Sequence, residues 1–210
     1  SDRQNSAPRI AREGIVTGAL PFPEPEVRVL EIAGRRSHVS CWGDPDAPPL
    51  LLVHGIRDNS RSWDWVANAL AGQYRIYAPD LRGHGNSDWA PPSGYTLAEF
   101  GMDLYDIVSA LRLERLAVVG HSFGGHLSLR FAACWPGLVT AVSGIECIEL
   151  PIVRDERAEP KTYPERLRTW METMRESRER RPRSYSSVAE AAARMQKEQP
   201  KVDAETIGHL

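Results

Sequence analysis

Long apolar runs are missing from this 210-residue chain. No stretch approaches the roughly 18 consecutive apolar residues of a membrane-spanning helix, and the polar start from Ser1 to Gly14 lacks the hydrophobic segment of a secretory signal. Excess charge is missing too. The 26 lysines and arginines stand against 28 aspartates and glutamates, for a net charge of −2, which excludes a broad electrostatic footprint for nucleic acid or an anionic membrane surface. Cysteine is scarce and odd in number: Cys41, Cys134 and Cys147 show no C-x-x-C spacing, which argues against zinc or redox chemistry and predicts three buried thiols in a reducing compartment. These absences point to a cytoplasmic protein acting on a small neutral or modestly polar molecule, with neither nucleic acid nor membrane as partner. Nothing in the sequence specifies an oligomeric state. A chain that begins with Ser1 rather than Met reads as processed or trimmed.

Enough apolar residues remain for one sizeable core, and their spacing indicates its layout. Val27 to Ala33 and Ser37 to Trp42 alternate loosely, as a half-exposed antiparallel hairpin at a sheet edge does. Leu50 to Val53, Arg75 to Ala78, Leu116 to Val119 and Val139 to Val142 are instead short continuous runs, which suit parallel strands covered on both faces. Helical spacing lies between them. Trp63, Val66 and Leu70 share one face, and the capping pair Thr96 and Glu99 opens a stripe through Leu97, Phe100, Leu104, Ile107, Val108 and Leu111. The alternation predicts an α/β fold with a doubly wound, mostly parallel sheet over residues 1–150.

Composition changes at Pro151. Residues 151–210 hold 13 basic and 11 acidic side chains, with an apolar stripe of Leu167, Trp170, Met171 and Met174 and a second capping pair, Ser187 and Glu190. Charged helices with one apolar face predict a helical lid, and the alternative is a charged tail packed on the core.

The chemistry concentrates at Gly120-His121-Ser122-Phe123-Gly124, a G-x-S-x-G between a predicted strand and a predicted helix that ends by Pro136. A strand that turns sharply into a helix strains its middle residue, and glycines two before and two after give the turn room. Ser122 is therefore the candidate nucleophile. Acyl transfer also needs two backbone N–H groups aimed at the developing oxyanion. Phe123, after the nucleophile, supplies one, and Ile56, after the strand that ends at His54-Gly55, is placed to supply the other. His54 itself reads as a turn-stabilising histidine rather than a base. In the tight loop Asp80 to Ser87, Gly83 and Gly85 bracket His84, and Asp80 with Arg82 is expected to tie the loop down.

His54-Gly55, Asp80 to Ser87 and Gly120 to Gly125, in this order and spacing, resemble the α/β-hydrolase fold superfamily over residues 27–150. The resemblance is to its lidded branch of serine-hydrolase-like esterases, haloalkane dehalogenases and epoxide hydrolases. It implies an eight-stranded sheet, a lid after strand six, an acid after strand six or seven, and a histidine after strand eight. Dehalogenases and epoxide hydrolases carry aspartate where this chain has Ser122, so the serine implies an acyl-enzyme and cleavage of an ester, thioester, amide or related bond. No cofactor and no metal are implied.

The chain departs from that pattern after strand six. His126 lies within the helix after Ser122, His209 falls in the expected lid, and no segment supplies strands seven and eight. Asp203 and Thr206 read as a helix start with too few residues after it, so the chain is expected to be the front part of a longer protein. Glu149 matches the acid position of some dehalogenases, with Glu146 and an acid beyond the chain end as alternatives. The expected activity is that of a small-ester serine hydrolase. A carbon–carbon bond hydrolase, a perhydrolase and, were the chain complete, a non-catalytic binding protein are its rivals.

Overall fold

The computed structural model describes residues 23–147, 162–179, 184–202 and 206–207. The chain divides into two compact units, Glu24–Arg181 and Pro182–Leu210 together with Ser1–Pro23.

In the larger unit six strands form one sheet: β1 (Glu26–Ile32), β2 (Arg35–Trp42), β3 (Pro49–Val53), β4 (Arg75–Pro79), β5 (Leu116–His121) and β6 (Val139–Ile145), in the spatial order β1-β2-β4-β3-β5-β6. The first two are the expected hairpin, in register from Glu26 opposite Cys41 to Ile32 opposite Arg35. Its two-residue turn, Ala33-Gly34, has positive φ at both positions, the sense of bend that matches strand twist. β2 pairs antiparallel with β4, and β4, β3, β5 and β6 run parallel.

The continuous apolar runs have the reason expected of them. Leu51 and Val53 join a cluster with Val118, Leu127 and Phe131 beneath α2 (Leu97–Ala110) and α3 (Phe123–Cys134). Leu50 and Leu52 face the other way, onto Trp42, Trp63, Ala67 and Ile76 under α1 (Asp64–Leu70). Alternate residues of one strand thus fill two separate cores.

Three expectations need correction. Val66 is exposed, because a short 3₁₀ turn at Ser60–Trp63 feeds α1 and turns Ala67, four residues past Trp63, to the sheet instead. Val142 is exposed as well, since β6 pairs only with β5 among the described residues and most of its length lies open. Cys41 and Cys147 are buried, but Cys134, in the last turn of α3, is exposed.

The loop after β4 is tied as its residues suggest. Asp80 is buried, and its carboxylate accepts from the amides of Ser60 (2.7 Å) and Asn86 (2.8 Å), with His38 Nδ1 at 3.3 Å. Burial alone would raise the Asp80 carboxyl, but His38 and those two amides outweigh it and hold it below its ordinary range. Ser87 Oγ donates back to the Asp80 carbonyl at 2.6 Å, and Gly83 and Gly85 take the left-handed conformations that close the loop. Arg82 grips α2 with a two-pronged bond to Asp103 (2.5 and 2.6 Å), a further bond to Glu99 (2.8 Å) and its guanidinium over Phe100.

Thr96 caps α2 by accepting from the Glu99 amide at 3.2 Å. Helix α4 (Tyr163–Glu179) lies in the larger unit and exposes Met171; the side chains of Leu167, Trp170 and Met174 fall outside the described residues. In the smaller unit α5 (Val188–Glu198) has its expected cap. Ser187 Oγ accepts from the Glu190 amide, and Glu190 reaches back to Ser186. Asp203 lies outside the described residues. No helix among the described residues is long and apolar enough to cross a membrane.

Asp80→Ala leaves the buried Ser60 amide and the part-buried Asn86 amide without their acceptor and should cost on the order of 3 kcal/mol at neutral pH, read from urea unfolding followed by tryptophan fluorescence. Because folding holds this carboxyl below its ordinary value of 3.8, the unfolded chain takes up the proton first on acidification. The stabilisation is full above 3.8 and is lost as pH falls below it towards the folded-state value, so the gap between wild type and Asp80→Ala should narrow over that window.

Candidate functional site

The strand order creates the site. The chain passes from β3 to β4 on one side and then crosses back to place β5 on the other side of β3. Loops leaving the carboxyl ends of β3 and β5 therefore diverge and open a crevice between them, the position at which open α/β sheets bind ligands. Ile56 follows β3 and Ser122 follows β5.

Ser122 occupies a conformation that few residues tolerate, with φ 51° and ψ −118°. The parallel ladder runs through it. His121 pairs with Ile145, and the Ser122 amide donates to the Ile145 carbonyl at 2.8 Å. On its other side the Ser122 carbonyl accepts from the His126 amide at 3.1 Å, the first bond of α3. The glycines beside the serine are forced by close approach. A side chain at Gly120 would run into the Gly124 backbone and Ser128 Oγ, and one at Gly124 into the carbonyls of Val53 and His54. Ser128 Oγ donates to the Gly124 carbonyl at 2.7 Å, which fastens the start of the helix.

Phe123 is the first residue of α3, where a backbone N–H has no acceptor within its own helix. Its ring packs edge-on against Phe100 at 5.0 Å. Across the crevice, Gly55 backs onto the serine: a Cβ built on it would sit 3.4 Å from Ser122 Cβ and 3.1 Å from His121 Nδ1. The next residue, Ile56, carries an exposed side chain, and Arg57 after it has φ 61°.

The histidines divide by what their nitrogens already do. His54 is fully buried, with Nδ1 2.7 Å from the Gly55 carbonyl and Nε2 3.0 Å from the Leu81 amide. Burial, with His84 nearby as a secondary influence, pushes its pKa below the ordinary value and favours the neutral ring. His84 packs beside it at 5.2 Å, with its own Nδ1 on the Arg82 carbonyl. His126 belongs to α3, beyond the elbow, and His209 lies outside the described residues. His121 is half-exposed, with Nε2 3.5 Å from the carboxylate of Glu146.

Glu146, immediately after β6, is exposed and left-handed at φ 51°; Glu149 lies outside the described residues. The place of His121 in the G-x-S-x-G turn was the one signal that it lies near the Gly55 turn; nothing in the sequence patterns marked the left-handed backbone of Arg57 and Glu146. No three His, Cys, Asp or Glu side chains among the described residues gather as a metal site.

A family model described as the alpha/beta hydrolase fold matches residues 48–187, two thirds of the chain and all of the crevice. The chain belongs to the α/β-hydrolase fold family. Among similar proteins, an uncharacterized protein of Mycobacterium tuberculosis is 45% identical over 92 residues, 44% of this chain and 27% of that protein. The chain thus spans about a quarter of that relative's length. The human serine hydrolase-like protein is 31% identical over 140 residues, 65% of this chain and 69% of that one. A solved thioesterase domain from the curacin biosynthetic pathway superposes with a TM-score of 0.73 at 27% identity, covering 89% of this chain and 66% of that domain.

The backbone strain at Ser122 has a measurable consequence. Ser122→Gly relieves a left-handed non-glycine residue and should be more stable than Ser122→Ala by about 1 kcal/mol, the strain relief less the extra chain entropy of glycine. Equal urea midpoints for the two variants would mean that the elbow is relaxed.

Proposed function

We propose that this α/β-hydrolase is a serine hydrolase that cleaves small ester or related acyl substrates through an acyl-enzyme on Ser122. The observation that carries the proposal is the left-handed serine between β5 and α3, on a crevice flanked by two candidate amide donors. Ser122 Oγ attacks the substrate carbonyl, and the bond to the leaving group breaks as the tetrahedral adduct collapses; water then releases the acid. The amides of Phe123 and Ile56 stabilise the oxyanion in both steps, and α3 adds the partial positive charge of its start. Serine at this position supports acyl chemistry over the aspartate-based routes of dehalogenases and epoxide hydrolases. The thioesterase likeness supports it as well.

The proton that leaves Ser122 needs a base. His54 is unsuited, since both of its ring nitrogens are engaged, and His126 sits in the helix beyond the elbow. Neither of these two histidines therefore serves as the base in this reading, and the resemblance implies one after an eighth strand. Glu149 is the candidate acid by resemblance, with Glu146 as its rival. The same reading makes residues 151–210 a helical lid. It places the protein in the cytoplasm, where free thiols are stable, with a small molecule as its partner.

In the intact protein, p-nitrophenyl acetate and butyrate should give an acyl-enzyme burst followed by turnover. Ser122→Ala should abolish the burst and lower kcat by about 10⁴-fold or more. Ile56→Pro removes the amide donor and should lower kcat on the order of 10²–10³-fold, whereas Ile56→Val, which keeps the N–H, should shift substrate preference with little change in rate. Retention of the burst in Ser122→Ala would remove the serine from the mechanism.

A further inference from the structure

His54 is fully buried, polar and used by no step above. Its two contacts determine its proton. The Gly55 carbonyl can only accept, so Nδ1 must carry hydrogen; the Leu81 amide can only donate, so Nε2 must present its lone pair. The ring is the neutral Nδ1–H tautomer, held from β4's loop on one side and from β3's loop on the other.

The Gly55 carbonyl and the Ile56 amide belong to one peptide unit. That unit is planar, and it is trans, as are all the described peptide bonds, so its C=O and N–H point in opposite directions. A carbonyl drawn inward to a buried imidazole sends the Ile56 N–H outward. Gly55 is also packed close to Ser122 and His121, which leave little room for a side chain on it. Its carbonyl is held by His54 and its Cα by packing beside Ser122. Nothing comparable fixes Ile56 from its own side chain, which is exposed.

We infer that His54 is a positioning residue that aims the Ile56 N–H into the crevice through the Gly55–Ile56 peptide plane. This rests on the reading of Ile56 as an oxyanion donor and extends it to the residue that orients the donor. The Leu81 bond gives His54 its tautomer, so the loop after β4 takes part in setting an oxyanion donor on the loop after β3. Loss of the Nδ1–H leaves the peptide free to rotate. The amide then samples other directions, which weakens transition-state binding and leaves ground-state binding nearly intact.

A double-mutant cycle in the intact protein tests this, read as kcat and KM for p-nitrophenyl butyrate. His54→Leu should lower kcat by about 10²-fold with KM little changed, approaching the effect of Ile56→Pro. His54→Asn, which can keep a donor near Nδ1, should recover most of that loss. In the Ile56→Pro background His54→Leu should cost little more, because the group it aims is already gone. Full additivity, or KM and kcat moving together, would overturn the inference while leaving the oxyanion reading intact. An Ile56→Pro variant at wild-type kcat would instead overturn the oxyanion reading itself. Should the leucine variant fail to fold, imidazole ¹⁵N shifts of the wild-type protein decide: a proton on Nδ1 of His54 is required, and a proton on Nε2 contradicts the inference.

Discussion

Ser122 can hold a left-handed backbone because the peptide on each side of it is already committed. The amide before it extends the β5–β6 ladder to Ile145, and the carbonyl after it starts α3 at His126. Between those two bonds the chain must reverse from strand to helix within one residue, which brings Gly120 against Gly124 and Gly124 against the end of β3. Any side chain at either glycine would push α3 away from the sheet. The strain at Ser122, of the order of 1–3 kcal/mol, is held in place by the burial of Leu127 and Phe131 one and two turns further along α3. The strained turn at Ser122 is a product of core packing.

The second half of the crevice depends on a different interaction. β3 is followed directly by His54, whose ring joins the β3 loop to the β4 loop. That second loop is in turn fixed by the Asp80 carboxylate and by the grip of Arg82 on α2. A chain of buried polar contacts therefore runs from α2 through the β4 loop to the turn that packs against Ser122. Buried polar groups of this kind are costly unless each is satisfied, and here the partners lie in different elements, so the elements hold a defined spacing.

Much of this was legible in the residues, because period-2 and period-3.6 patterns report burial directly. The runs Leu50 to Val53 and Leu116 to Val119 are parallel strands with both faces covered, and the capping pairs at Thr96 and Ser187 mark real helix starts. The glycines around Ser122 announced a close approach that the structure contains. The patterns misread Val66 because a 3₁₀ turn changes the phase of the helix that follows, and they misread Val142 because an apolar run does not reveal whether its strand lies at an edge. The left-handed backbone at Arg57 and Glu146 was invisible, since neither residue type favours it. The tautomer of His54 was equally hidden, because it is set by an amide 27 positions away.

The central claim is that Ser122 Oγ is the group that becomes acylated. Treating the intact protein with a fluorophosphonate and locating the adduct by peptide mass spectrometry tests it directly, since the reagent phosphonylates only a serine activated for acyl transfer. The account predicts one adduct per chain, on the peptide that contains Ser122, and none in Ser122→Gly. An adduct on Ser128 or Ser143, or an unmodified Ser122 in a preparation that still turns over p-nitrophenyl butyrate, would contradict it.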